Sequence, residues 1–162
     1  MRKRQKGFSL IELLIVVAII LIIAAIAIPN LLRSRMAANE ASAVGSLRTI
    51  NTAEVTYSTT YPSLGFASLA SLGGSAATCA TATGATSTGS CLIDDVLAST
   101  AVKSGYAFTA AVGGGSPAVT YAAKALPSVV GQSGQRAFCS DQSGVIRYNA
   151  GGTACSNTDS PL

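Results

Sequence analysis

A single carboxylate stands at the start of the most apolar stretch of this 162-residue chain. Glu12 follows Lys6-Gly7-Phe8-Ser9-Leu10-Ile11 and lies in a run, residues 8 to 28, in which 15 of 21 side chains are Leu, Ile, Val or Phe, four are Ala, and Ser9 and Glu12 alone are polar. An acid in such surroundings is costly and ordinarily has a partner or a task. No Lys or Arg lies between residues 8 and 28. A cut after Gly7 would create the missing cation, because the new amino group on Phe8 would sit four residues before Glu12 on the same helical face. The pair could form within one chain or between neighbours.

The other residues with chemical potential are four cysteines, Cys79, Cys91, Cys139 and Cys155, and the adjacent acids Asp94 and Asp95. With no histidine, Ser-His and Cys-His nucleophile pairs are excluded. The cysteines have no CxxC spacing and no histidine beside them, so no metal site is expected. Gly113-Gly114-Gly115 matches neither dinucleotide-binding nor phosphate-loop spacing. No catalytic constellation, enzyme activity or cofactor is expected. An even number of cysteines beyond an exported span reads as two disulfides. Three pairings are open, and Cys79 with Cys91 and Cys139 with Cys155 are preferred because they close local loops, each stabilised by roughly 3 kcal/mol in the chain-entropy description.

The element that carries Glu12 must be a helix. Twenty-one residues at about 1.5 Å each cover roughly 30 Å, a bilayer core. The large apolar residues contribute on the order of −6 kcal/mol to insertion against roughly +3 for the carboxylate. Arg2, Lys3, Arg4 and Lys6 precede the span without an acid among them, which keeps the N-terminus cytoplasmic and exports the bulk of the chain. The net charge of +4 belongs to those residues: beyond residue 7, seven basic and seven acidic side chains balance, so no nucleic-acid site is evident. Two rivals use the same residues. A secretory signal cut after Ala25-Ile26-Ala27 would release a soluble chain beginning at Ile28, and an uncut anchor would leave Glu12 unpaired.

Lys-Gly-Phe-Ser-Leu-Ile-Glu at 6 to 12, followed by the aliphatic run, resembles the processing site of type IV pilins and the related pseudopilins. The resemblance implies cleavage after Gly7 by a prepilin peptidase, N-methylation of Phe8, and a role for Glu12 in registering each subunit against the N-terminus of its neighbour. It implies a homopolymeric filament, built from the inner membrane by an assembly platform with a cytoplasmic ATPase and displayed outside the cell as a pilus. Pro29 stands where type IV pilins commonly carry a proline; its missing N–H and its ring predict a kink or local opening in a helix that otherwise continues.

Downstream, Ala43, Leu47, Ile50, Ala53, Tyr57 and Tyr61 recur every three or four residues and predict an apolar stripe that packs on a sheet, ending at Tyr61-Pro62. Arg33, Arg35, Glu40, Arg48 and Glu54 read equally as solvated charges or as pairs between subunits. Residues 67 to 90 are Ala, Ser, Thr or Gly apart from Leu69, Leu72 and Cys79, and read as an exposed loop pinned by cysteines, open to O-linked sugars. A short helical turn is expected within residues 92 to 102. Tyr106, Phe108 and Ala110 alternate, and after Gly113-Gly114-Gly115 so do Val119, Tyr121 and Ala123, predicting a hairpin. A second is predicted with arms at 135 to 140 and 145 to 149 around Asp141-Gln142-Ser143-Gly144. Residues 131 to 147 are similar to the closing hairpin of bacterial pilin-like proteins, some of them major pseudopilins, and Cys139 and Cys155 fall where many pilins carry a C-terminal disulfide. Asp141 and Asp159 are too few for the calcium loop of major pseudopilins.

The expected fold is therefore α+β: a long N-terminal helix, membrane-spanning in its first half and amphipathic in its second, on a four-stranded antiparallel sheet, the pilin fold. Residues 1 to 7 form the leader, 8 to 30 the span and 31 to 162 the globular domain, divided into helix to 61, variable loop 62 to 105, and sheet with its C-terminal disulfide region 106 to 162. The expected function is that of a type IV pilus subunit for motility, adhesion or DNA uptake. The alternatives are a major pseudopilin of type II secretion and a secreted or membrane-anchored binding module.

Overall fold

The computed structural model describes residues 8–75, 79–80 and 85–162. The helix α1, Leu10–Thr60, contains Pro29. The chain divides into two compact units, Met1–Arg35 and Met36–Leu162. Within α1 an 18-residue window has mean hydropathy 3.3 and none of it is buried.

In the second unit α1 is amphipathic. Ala43, Leu47, Ile50, Ala53 and Tyr57 are buried and Tyr61 partly so, as the three-four spacing predicts. They share one core with Tyr106, Phe108, Tyr121, Ala123, Ala125 and Phe138 of the sheet. The sheet has six strands, not four: β1 Val102–Lys103, β2 Tyr106–Gly113, β3 Thr120–Pro127, β4 Ala137–Asp141, β5 Arg147–Asn149 and β6 Ser160–Pro161. They pair antiparallel in chain order, a meander. The two additional strands are two residues long, too short to show an alternation. β1 turns into β2 through Ser104 and Gly105, both at positive φ (50° and 74°), the backbone a two-residue hairpin loop requires.

The hairpin of β2 and β3 forms around the glycine run, with Gly113 opposite Thr120. The second hairpin is shorter than expected. Its first arm begins at Ala137 because the N–H groups of Gln135 and Arg136 donate to Glu40 of α1 instead of to a strand. Its turn is closed by the Asp141 carboxylate, which accepts from the Ser143 N–H at 2.9 Å.

Residues 67 to 90 are not simply an exposed loop. Leu69 and Leu72 lie three apart on a short helix, α2 Leu69–Leu72, and both enter the core; Leu72 is fully enclosed. The turn expected within residues 92 to 102 is a single π-helical turn, Val96–Thr100, and the Asp94 carboxylate accepts the Leu97 N–H at 2.8 Å. Asp94 also pairs with Lys103, so one of the adjacent acids has a structural role.

Candidate functional site

The site built by Glu12 begins one residue before the helix. The Ser9 carbonyl accepts the first ladder hydrogen bond, from the Leu13 N–H at 3.2 Å, which makes Ser9 the N-cap. Glu12 is then the third helical residue, and its Oε2 accepts from the Ser9 N–H at 3.2 Å. This is one half of a capping box. The sequence signal for it is Ser9-x-x-Glu12 before an apolar run. Phe8 precedes the cap and is exposed. Gly7 and the rest of the leader lie outside the described residues, as do parts of the serine- and threonine-rich stretch, residues 76–78 and 81–84.

Two further carboxylates of α1 read in the sequence as solvated or intersubunit charges. Both are turned inward within the second unit. Glu40 Oε1 accepts from the N–H groups of Gln135 at 2.9 Å and Arg136 at 3.1 Å, while Oε2 takes Arg136 Nε at 2.9 Å and Nη2 at 2.8 Å. The guanidinium also lies over the rings of Phe138 and Tyr148. Burial pushes the Glu40 carboxyl up, but the Gln135 N–H, the Arg136 side chain and the Arg136 N–H outweigh it, and its pKa falls below the ordinary value. Next to it, Asn39 Nδ2 donates to the Ser133 carbonyl at 2.8 Å. Glu40 therefore fastens α1 to the loop that enters β4.

Glu54 is fully enclosed, and Oε2 accepts from the Ala67 N–H at 2.9 Å. Oε1 has no hydrogen-bond partner among the described residues. Burial raises this carboxyl to about 7 against the opposing Ala67 N–H. No feature of the sequence separates Glu54 from Glu40; the sheet and loops that meet the helix do. Arg33, Arg35 and Arg48 are exposed, so they remain available to a partner.

The cysteines join as Cys79–Cys91 and Cys139–Cys155. The second bridge, with Ala137 and Leu126, covers the face of the sheet opposite α1. Asp159 lies near it, but its carboxylate already accepts from Asn149 Nδ2 and the Ser156 N–H. A groove on that face is bordered by Lys124, Asp141 and Arg147. Asp141 is taken by Ser143, and Arg147 donates to the Asp159 carbonyl at 3.1 Å. These groups build a turn and a chain end.

Residues 2–28 match the family described as the prokaryotic N-terminal methylation motif. The type IV wide pilus major component of Thermus thermophilus is 63% identical over 38 residues, 24% of this chain and 29% of that protein. The type IV major pilin protein of Myxococcus xanthus is 46% identical over 54 residues, 33% of this chain and 24% of that protein. The chain thus spans about a quarter of the length of these curated relatives. No solved structure matches it. The residues that hold Gly7, Phe8 and Glu12 thus carry the prokaryotic N-terminal methylation motif, and over a quarter to a third of its length the chain is similar to two type IV pilus proteins.

Proposed function

We propose that this chain is the structural subunit of a type IV pilus, made as a prepilin and polymerised out of the inner membrane into a surface filament. The observation that carries this reading is a carboxylate at the third residue of a helix whose first half is otherwise almost wholly apolar, within the methylation motif. A prepilin peptidase cuts after Gly7 and Phe8 becomes the methylated N-terminus. Its ammonium and Glu12 then hold successive subunits in register while helix contacts replace lipid contacts in the filament core. Lacking an N–H, Pro29 leaves one carbonyl of the preceding turn without its helical donor, which makes that turn the place where the helix opens on packing. The partners are further copies of the chain, the peptidase, and an inner-membrane assembly platform with its ATPase.

The test is the intact mass and N-terminal sequence of the mature protein from its native host. Loss of residues 1 to 7 with gain of one methyl group is the expected result. A chain beginning at Ile28 overturns the reading, because the helix that would form the filament core is then absent. A gain of four hydrogens on reduction checks both disulfides. A filament on the cell surface that disappears on deletion separates the pilus from a secretion pseudopilus, which would instead fail to export proteins.

A further inference from the structure

Within the second unit, the side chain of Glu54 is completely enclosed, and among the described residues one backbone N–H is all that it receives. We propose that Glu54 is a proton-controlled latch: neutral, it holds down the segment that follows α1, and ionised, it loosens that segment, so that the tightness of the globular domain follows the pH outside it.

The geometry explains why charge has no outlet at this position. On its own helix, Tyr57 gives its hydroxyl to the Ser87 carbonyl at 2.6 Å, Tyr61 is only partly buried, and Arg48 is exposed. From the sheet, Tyr121 gives its hydroxyl to Asn51 Oδ1 at 3.1 Å. Lys124, between the buried Ala123 and Ala125, belongs to the other face of β3, and Asp141 is engaged by Ser143. Neither phenol donates to Glu54 and no cation faces it among the described residues. A buried anion with one donor and an orphan oxygen is strongly disfavoured, whereas the neutral acid is tolerated. The raised pKa, about 7, follows from that enclosure.

The segment that Glu54 holds is connected to the rest of the domain. Ala67 directly precedes Ser68, the cap of α2. The carbonyls of Ser71, Leu72 and Gly73 then accept from the N–H groups of Ser90, Leu92 and Cys91. Phe66 N–H donates to the Ala118 carbonyl and Ala118 N–H to that of Leu64. Strain at Ala67 therefore reaches both the segment around Cys91 and the turn leading into β3. Such a device depends on the domain alone and stands whether or not the chain forms a pilus.

The experiment uses the full chain in detergent micelles. Stability of the wild type and of Glu54→Gln, which keeps an acceptor for Ala67 N–H but cannot ionise, is measured at pH 5.5 and pH 8.5. Going to the higher pH, the folded-to-unfolded ratio of the wild type is expected to fall on the order of thirtyfold relative to the variant, for a folded pKa near 7. Carbon-13 NMR of the wild-type Glu54 carboxyl should titrate near that value, with the Ala67 amide shifting in step. A titration near the ordinary 4.5, or an unchanged difference between the two proteins, overturns the proposal. If the variant does not fold, the NMR titration of the wild type decides it.

Discussion

Glu40 and Glu54 are the same residue on the same face of the same helix, about four turns apart, and they end in opposite states. Glu40 meets a loop whose N–H groups are not spoken for by the sheet, followed by an arginine whose planar fork matches a carboxylate. Glu54 is fully enclosed, yet it meets one N–H and its other oxygen has no partner among the described residues. Burial is common to both, so burial does not decide the charge. The donors supplied by other parts of the fold do. One end of the amphipathic helix is thereby an anchor that depends on charge, and the other a site that resists it.

The pH dependence follows with opposite signs. Glu54 has a folded pKa above its unfolded value, so its contribution is fully present below about 4.5 and is lost as pH rises through about 7. Glu40 has a lowered pKa, so its contribution is present above the ordinary value and is lost as pH falls through the folded one. The domain should be most stable in mild acid, between these two limbs.

Glu40→Ala should break the comparison most severely. It strands two part-buried N–H groups and the partly exposed Arg136 guanidinium together, at a cost of about 2–3 kcal/mol, read as a fall in the midpoint of chemical denaturation of the full chain. Next in size is the alkaline limb: from pH 5.5 to 8.5 the wild type should lose about 2 kcal/mol that Glu54→Gln keeps, while Glu40→Gln should leave that limb unaltered. Gly134→Ala tests how closely the anchor is packed. An added methyl would overlap the Tyr106 hydroxyl, which donates to the Arg136 carbonyl at 2.8 Å, and the expected loss is about 1–3 kcal/mol, with the largest amide shifts around Arg136. A loss below about 0.5 kcal/mol would show that this end yields more easily than its hydrogen bonds suggest.

Glu12 extends the comparison to a third carboxylate of α1, with a single donor like Glu54 but exposed in the first unit. Its capping bond is expected to contribute about 1 kcal/mol or less, so substitution should change helix stability least. Glutamine serves a capping box as well as glutamate does. Glu12→Gln therefore separates the two roles: if charge registers subunits, both Glu12→Gln and Glu12→Ala should be processed and inserted normally yet form no filaments. Filaments of normal yield from Glu12→Gln would reduce Glu12 to a cap.

Periodicity and turn chemistry made much of the fold legible. The stripe from Ala43 to Tyr57 and the hairpin around Gly113-Gly114-Gly115 follow from apolar period and glycine conformation, both local properties. Two-residue strands such as β1 and β6 carry no period to read, and Leu69 and Leu72 were hidden by polar neighbours although their spacing of three was visible. The Ser9-x-x-Glu12 cap is local and legible in the sequence. The length and apolarity of residues 8 to 28, the methylation motif and the position of Glu12 within it were determined by the sequence alone, because a span and a processing site are written in consecutive residues. Which cysteines meet, why β4 starts at Ala137, and which buried glutamate keeps its charge were decided only in the tertiary structure. Each depends on groups far away in the chain: the donors that make Glu40 an anchor lie some 95 residues beyond it, and nothing in the neighbourhood of either glutamate records whether they arrive.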